Sequence, residues 1–479
     1  MLFNSIQFLV FFPIVTALYY LLPHRFRWAM LLAASCIFYM AYVPKYILIL
    51  AATILVDYFA AFYIYKSKGR RKKIWLNVSI LSTVAILFVF KYFNFFNDNI
   101  DALARLLHWN YSKTILKLAL PIGLSFHTFQ SLSYVIEVYR GNYKPEKNFG
   151  IYALYVMFYP QLVAGPIERP QNLLWQFREK HSFDIERISS GLYRMLWGLF
   201  KKIVIADRLS IYVDMVYNQP GKQGGISAIL ATIFFAYQVY CDFSGYSDIA
   251  LGAAEVMGFK LMRNFNRPYS SKNISEFWQR WHISLSTWFY DYLFNPISIA
   301  KRNWGIWAIV YGLIVTFLVS GIWHGAGWTY VTWGLIHGAG LSLLLLTSKF
   351  RKKLSKLFPE RLYNFISVLF TFTFLCFGYV FFRAHSVYDA LIILSSMFHG
   401  LRLEHPFSAG IETNTDLVII AILLPIMLLA EKWYDDNPML NFSKEKPLYI
   451  KWATAWTGIF CILDFGTFTD AHSFIYFKF

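Results

Sequence analysis

The chain of 479 residues is 57% apolar and 20% aromatic but only 15% charged, against about 25% charged for an ordinary soluble domain. With a mean hydropathy of +0.43, this excludes a protein built on a soluble core and places the chain among polytopic membrane proteins. The net charge of +18 does not indicate nucleic acid. The basic residues cluster between apolar segments, at Arg25 and Arg27, Lys66 to Lys73 and Lys349 to Lys356, as cytoplasmic loops do.

A spanning helix needs about 17 to 25 mainly apolar residues. Such segments are predicted near 5–22, 28–44, 46–65, 75–96, 115–138, 150–167, 187–206, 226–246, 304–323, 328–347, 362–382, 416–431 and 448–465. About ten to twelve of them are expected to be true spans. The first run, Gln7 to Leu22, has no basic residues before it and reads as a retained helix, not a signal peptide. With the N-terminus outside, Arg25 and Arg27, Lys66 to Lys73, and Arg140, Lys144 and Lys147 all fall inside. The cysteines Cys36, Cys241, Cys376 and Cys461 form no CxxC pair and read as small buried hydrophobes. No repeat or linker divides the chain. It reads as one membrane domain over 1–479, with N-terminal helices in 1–110, a core in 115–347 and C-terminal helices in 360–479; 397–415 and 433–447 are its polar C-terminal loops.

From Pro121 to His337 the apolar pattern is repeatedly broken by Gly, Pro, Asp, Glu, Arg and His. Irregular backbone at membrane depth survives only where protein buries it or water reaches it. Ionisable groups there are functional candidates. This block is therefore expected to line a cavity or tunnel. Residues 121–127, ending at His127, and 159–168 read as bent or re-entrant elements, because Pro removes a helix bond and Gly permits a turn. Tyr240 to Asp248 gathers Asp242, Ser244 and Asp248 around Gly245. It reads either as a polar site or as a helix break satisfying its own backbone.

From Phe277 to Pro296 the periodicity predicts one amphipathic helix. Trp278, Trp281, Leu285, Trp288 and Tyr292 form its apolar face, and Arg280, Ser284, Thr287 and Asp291 lie opposite. Such a helix fits an interface or a tunnel wall better than a span. His282 sits at the edge of the tryptophan face, near Ser286 and Phe289; taken alone, it reads as a satisfied buried side chain. His324 follows an apolar run of about one span and is flanked by Gly321, Gly325 and Gly327, which let another backbone or a substrate approach the imidazole. His337 lies thirteen residues on. On one continuous helix these two would stand about 20 Å apart; helix metal pairs are normally four residues apart, so no metal is expected. A buried neutral imidazole is a proton acceptor, able to take a proton from a hydroxyl and return it to a leaving group. No GxSxG elbow, Walker A sequence or Rossmann fingerprint is present.

Six stretches together carry a resemblance: Pro-Ile-Gly-Leu-Ser-Phe (121–126), Leu-Val-Ala-Gly-Pro (162–166), Asp-Phe-Ser-Gly-Tyr-Ser-Asp (242–248), Glu-Phe-Trp-Gln-Arg-Trp-His-Ile-Ser-Leu-Ser-Thr-Trp (276–288), Trp-His-Gly (323–325) and Trp-Gly-Leu-Ile-His-Gly (333–338). In their number, order and spacing, and in the Met-Leu-Phe-Asn-Ser start and Phe-Ile-Tyr-Phe near the end, the chain resembles the membrane-bound O-acyltransferases, most of all the bacterial alginate O-acetyltransferase branch. The resemblance implies an all-α polytopic fold, with helices and re-entrant elements in a ring around a central tunnel.

It further implies His324 and His282 as the catalytic pair, with His337, Trp323, Trp281, Asp242, Ser244, Asp248, Gln279, Arg280, Ser286, Asp291 and His127 as tunnel or substrate-binding candidates. No bound cofactor is expected. The implied donor is an acyl thioester, acetyl-CoA or an acyl carrier protein on the cytoplasmic side. The implied route leads across the bacterial inner membrane to an extracytoplasmic SGNH-type acetyltransferase and then to a polysaccharide hydroxyl. D-Alanyl transfer from a carrier protein towards teichoic acid is the alternative within the family, and transport without acyl chemistry the alternative outside it. Residues 294–302 replace the family's usual Gly-Gly and basic loop with Phe-Asn-Pro-Ile-Ser-Ile-Ala-Lys-Arg, and Tyr290 stands where an Arg is usual. The resemblance therefore does not carry donor or carrier recognition over to this chain.

Overall fold

The computed structural model describes the chain except residues 117, 119, 223, 400–413, 434–445, 469–473 and 476–479, and the side chains of 414–417 and 433. The polar loops predicted at 397–415 and 433–447, and the last two residues of the Phe-Ile-Tyr-Phe motif, lie largely or wholly outside the described residues. No strand occurs among the described residues. Six of their helices are long and apolar enough to cross a membrane: Pro44–Lys66, Gly69–Leu106, Gly225–Met257, Ile306–His324, Trp328–Leu346 and Glu360–Arg383. Ile6–Leu21 and Val387–Phe398 are shorter apolar helices. The protein is thus an all-helical, multi-pass membrane protein. The chain forms two compact units, Met1–Met195 with Ile249–Met262, and Leu196–Asp248 with Arg263–Phe479.

In the first unit, Ser5 caps the opening helix by accepting from the Phe8 N–H at 3.2 Å. The helix predicted at 115–138 begins only at Leu124 and runs to Arg140. Pro121 has no N–H, and Gly123 is left-handed at φ 76°. A Cβ on Gly123 would stand 2.6 Å from the Leu162 carbonyl oxygen, so close backbone approach also requires glycine there. The span predicted at 150–167 stops at Met157, and a short buried helix, Tyr159–Leu162, follows. Glu168 is fully buried and accepts from the Met262 N–H and, at 3.4 Å, from Asn172.

In the second unit, Ile306–His324 and Trp328–Leu346 form an antiparallel hairpin turned by Gly325 to Gly327. Cβ atoms on Gly321 and Gly334 would fall 2.3 Å from the carbonyl oxygens of Tyr330 and Phe317 respectively. Small residues here let the two backbones touch. The turn separates His324 and His337 onto different helices, so the single-helix distance considered from sequence does not apply.

In this region one of two open readings falls away and one expectation is corrected. Gly225–Met257 is one helix of 33 residues, so 240–248 does not break it. The Phe277 to Pro296 segment is not one helix: Ile274–Arg280 ends at a bend at Trp281 and His282, and Ile283–Phe289 then runs on through the π-helical turn Tyr290–Phe294 into Asn295–Ala300. The apolar wheel drawn through both was an accident of spacing across a bend.

Candidate active site

His282 is the joint between those two helices. Its backbone is left-handed at φ 43°, ψ 53°, a conformation that costs about 1 to 2 kcal/mol in a residue with a Cβ. Strain of this kind persists where the surroundings over-determine it. The preceding Asn264 to Asn266 segment supplies that constraint: the Asn266 N–H donates to the Arg280 carbonyl and the Ile283 N–H to the Asn264 carbonyl, both at 2.9 Å. The buried imidazole meets the Phe243 ring edge-on at 4.6 Å. Burial pushes its pKa down to about 3, so it is neutral across the physiological range.

His324 closes the first arm of the hairpin and is buried. Its ring lies 4.8 Å from Trp323, 5.0 Å from Trp333 and 5.3 Å from Phe382. Trp323 in turn lies 6.5 Å from His282, and Trp333 lies 4.8 Å from His337. The three histidines therefore form one row, His282, Trp323, His324, Trp333, His337, with a tryptophan between each pair. His337 is also walled by Trp278 at 5.2 Å and Phe374 at 5.6 Å. A Cβ on Gly378 would reach within 3.0 Å of its Nε2. Trp281, which precedes His282 in the chain, is stacked on Phe277 at 5.4 Å and edge-on to Phe265 at 5.1 Å.

Asp242 and Asp248 are held by consecutive lysines. Lys202 Nζ stands 2.6 Å from Asp242 and 2.7 Å from Asp207, while Lys201 Nζ stands 2.5 Å from Asp248 and 3.7 Å from Glu431. Midway between the two aspartates, a Cβ on Gly245 would lie 2.7 Å from the Gly198 carbonyl oxygen. Gly245 is thus a helix-crossing point with an ion pair on either side, within a helix that passes through it unbroken. Asp242 Oδ2 also accepts from the Ile475 N–H at 2.8 Å, and Phe474 packs on Phe243 and Tyr246. Ser244 is buried on the same turn.

The remaining candidates are scattered. Gln279 is exposed. Arg280 pairs with Glu276 at 2.7 Å, and Ser286 donates back to the Trp281 carbonyl at 3.0 Å. Asp291 is half-buried in the π-helical turn Tyr290–Phe294. His127 is buried in the first unit, on the Leu124–Arg140 helix. Among residues not singled out from sequence, Lys201, Lys202, Asn264, Trp333 and Glu431 all enter these networks. The lysine pair had a legible signal, two adjacent charges inside a predicted apolar span.

A buried neutral imidazole enclosed by aromatic rings can accept a proton in a site from which water is largely excluded. The family model for MBOAT, membrane-bound O-acyltransferase family, matches residues 147–384, which include this row. The chain is 37% identical over 405 residues to the probable alginate O-acetylase AlgI of Pseudomonas putida, covering 83% of this chain and 80% of that protein. It is 34% identical over 405 residues to the peptidoglycan O-acetyltransferase of Helicobacter pylori, covering 78% and 75%. Similarity to the teichoic acid D-alanyltransferase of Bacillus subtilis is lower, 28% over 272 residues, covering 54% and 68%. With its aromatic-walled histidines, its helical membrane fold and these relatives, the chain belongs to the membrane-bound O-acyltransferase family and is a membrane O-acyltransferase.

Proposed function

We propose that the chain is an O-acetyltransferase of the bacterial inner membrane. It takes the acetyl group from a cytoplasmic thioester, acetyl-CoA or an acyl carrier protein, and passes it towards an extracytoplasmic hydroxyl. The final acceptor is a cell-envelope or extracellular polysaccharide, reached through an SGNH-type partner acetyltransferase. The observation that carries the chemistry is the enclosure of His324 between Trp323 and Trp333, next in the row to His282. Acetyl as the acyl group is supported by the O-acetylase and O-acetyltransferase names of the relatives.

In this reading His324 takes the proton as the acceptor oxygen attacks the thioester carbonyl. The C–O bond forms, the C–S bond breaks, and the imidazolium returns the proton to the departing sulfur. His282, neutral and fixed in place, orients the reacting groups. The tryptophans limit attack by water on the thioester.

The test is transfer of labelled acetyl from acetyl-CoA, or from an acyl carrier protein, by the full chain in proteoliposomes, alongside its His324→Ala variant. Loss of about 10²- to 10⁴-fold in kcat is expected for that variant, with membrane insertion and melting behaviour retained. Acetyl transfer at the parent rate by His324→Ala would overturn the assignment. Mass analysis of envelope polysaccharides with and without the gene then names the ester: a lost acetyl supports the reading, and a lost alanyl ester replaces it.

A further inference from the structure

The helix Ile283–Phe289 begins from an unusual residue. Its N-cap is His282, where Ser, Thr, Asp or Asn is ordinarily found because their side-chain oxygens accept from the helix's first N–H groups. Here the imidazole is turned to Phe243 and Trp323.

The capping oxygen comes from a residue eighteen positions upstream. Asn264 Oδ1 accepts from the Ser284 N–H at 3.3 Å and from Ser284 Oγ at 2.6 Å. The Asn264 carbonyl accepts from the Ile283 N–H at 2.9 Å, and its Nδ2 donates to Ser247 Oγ at 3.4 Å. Asn264, Ser284 and Ser247 are all buried, so these bonds do not compete with water. One side chain thus ties the start of this helix to the Gly225–Met257 helix, which carries Phe243.

We infer that Asn264 is the positioning residue for His282. It caps the helix in place of residue 282 and so releases that position for an imidazole facing the row of rings. Together with the Asn266–Arg280 bond on the other flank, it holds His282 in its left-handed conformation. Asn264 touches no reacting atom; its effect passes through His282, and the inference rests on the reading that His282 serves the transfer.

The experiment is a double-mutant cycle on acetyl transfer by the full chain in proteoliposomes, with Asn264→Ala, His282→Ala and both together, and with Asn264→Asp as the conservative variant. Asn264→Ala is expected to lower kcat by about 10²-fold, the cost of a misplaced catalytic group, with KM for the donor unchanged. Asn264→Asp keeps both accepted bonds and recovers most of the rate. In the His282→Ala background, Asn264→Ala causes no further loss.

Equal loss from Asn264→Ala in both backgrounds, a rise in KM with kcat intact, or failure of Asn264→Asp to recover the rate would overturn the inference. The kcat-only loss and the Asp recovery decide the matter where His282→Ala retains too little activity to subdivide. Full activity in His282→Ala would instead overturn the reading of His282 itself. Where Asn264→Ala reduces the yield of folded protein, Ser284→Ala takes its place in the cycle. It removes only the 2.6 Å bond, and a smaller kcat loss that vanishes in the His282→Ala background is expected; no loss, or an additive one, overturns the inference.

Discussion

Trp333 meets His324 nearly perpendicularly, at 82° and 5.0 Å. The same indole lies 4.8 Å from His337 on its own helix, so one side chain bears on two histidines from the two arms of the hairpin. Trp333→Ala should therefore reduce both stability, by about 3 to 5 kcal/mol as for a buried aromatic, and acetyl transfer. Trp333→Phe keeps a ring in place and should retain most of both. Melting temperature in detergent and kcat in proteoliposomes check the pair; equal activity of the Ala and Phe variants would show that the ring does not shape the site.

The left-handed backbone at His282 yields a prediction in which stability and activity part. His282→Gly and His282→Ala both remove the imidazole, and both should lose transfer. Only glycine adopts φ 43° without steric cost, so His282→Gly should be more stable than His282→Ala by about 1 kcal/mol. Denaturation of the two purified variants measures the difference. A more stable alanine variant would mean that the joint is not strained.

Burial of the same imidazole has a pH signature. Its folded pKa is pushed down to about 3, below the ordinary value of about 6.5. The unfolded chain therefore binds a proton that the folded chain does not, and stability falls as pH drops from about 6.5 towards 3, by up to about 1.4 kcal/mol per pH unit for this one group. Above that window the group contributes no slope. His282→Gln should flatten the acid limb of melting temperature against pH; an unchanged limb would show that His282 is already solvated or charged.

Lys202 faces two carboxylates, Asp242 at 2.6 Å and Asp207 at 2.7 Å. Lys202→Met removes the cation that faces both carboxylates in a buried setting, which should cost about 3 to 5 kcal/mol. Adding Asp242→Asn removes one of the two carboxylate charges that faced the lysine and should restore part of that loss. Yield and melting temperature of the single and double variants test this, and a double variant less stable than Lys202→Met would contradict the pairing.

Much of the fold was legible because burial in a bilayer is written locally. A helix that must satisfy its own backbone in lipid shows up as an apolar run, and the segments predicted at 304–323 and 328–347 differ from the observed Ile306–His324 and Trp328–Leu346 by no more than two residues at either end. The sequence by itself also determined that His282, His324 and His337 lie in a block where that pattern fails, and it carried the family resemblance.

Only the tertiary structure decided what the interruptions were for. Glycine gives the same local signal at a helix break and at a close helix crossing, so the sequence around Gly245 leaves a helix break open, while its missing Cβ makes room for the Gly198 carbonyl. A bend that depends on a distant partner leaves no trace in periodicity, and the wheel ran straight through His282 because Asn264, whose oxygen fixes that bend, lies outside any window drawn around it. The histidine row was invisible for the same reason. Its tryptophan spacers touch across a hairpin and across separate helices, and contacts at such separation are set by packing, not by the spacing of residues along the chain.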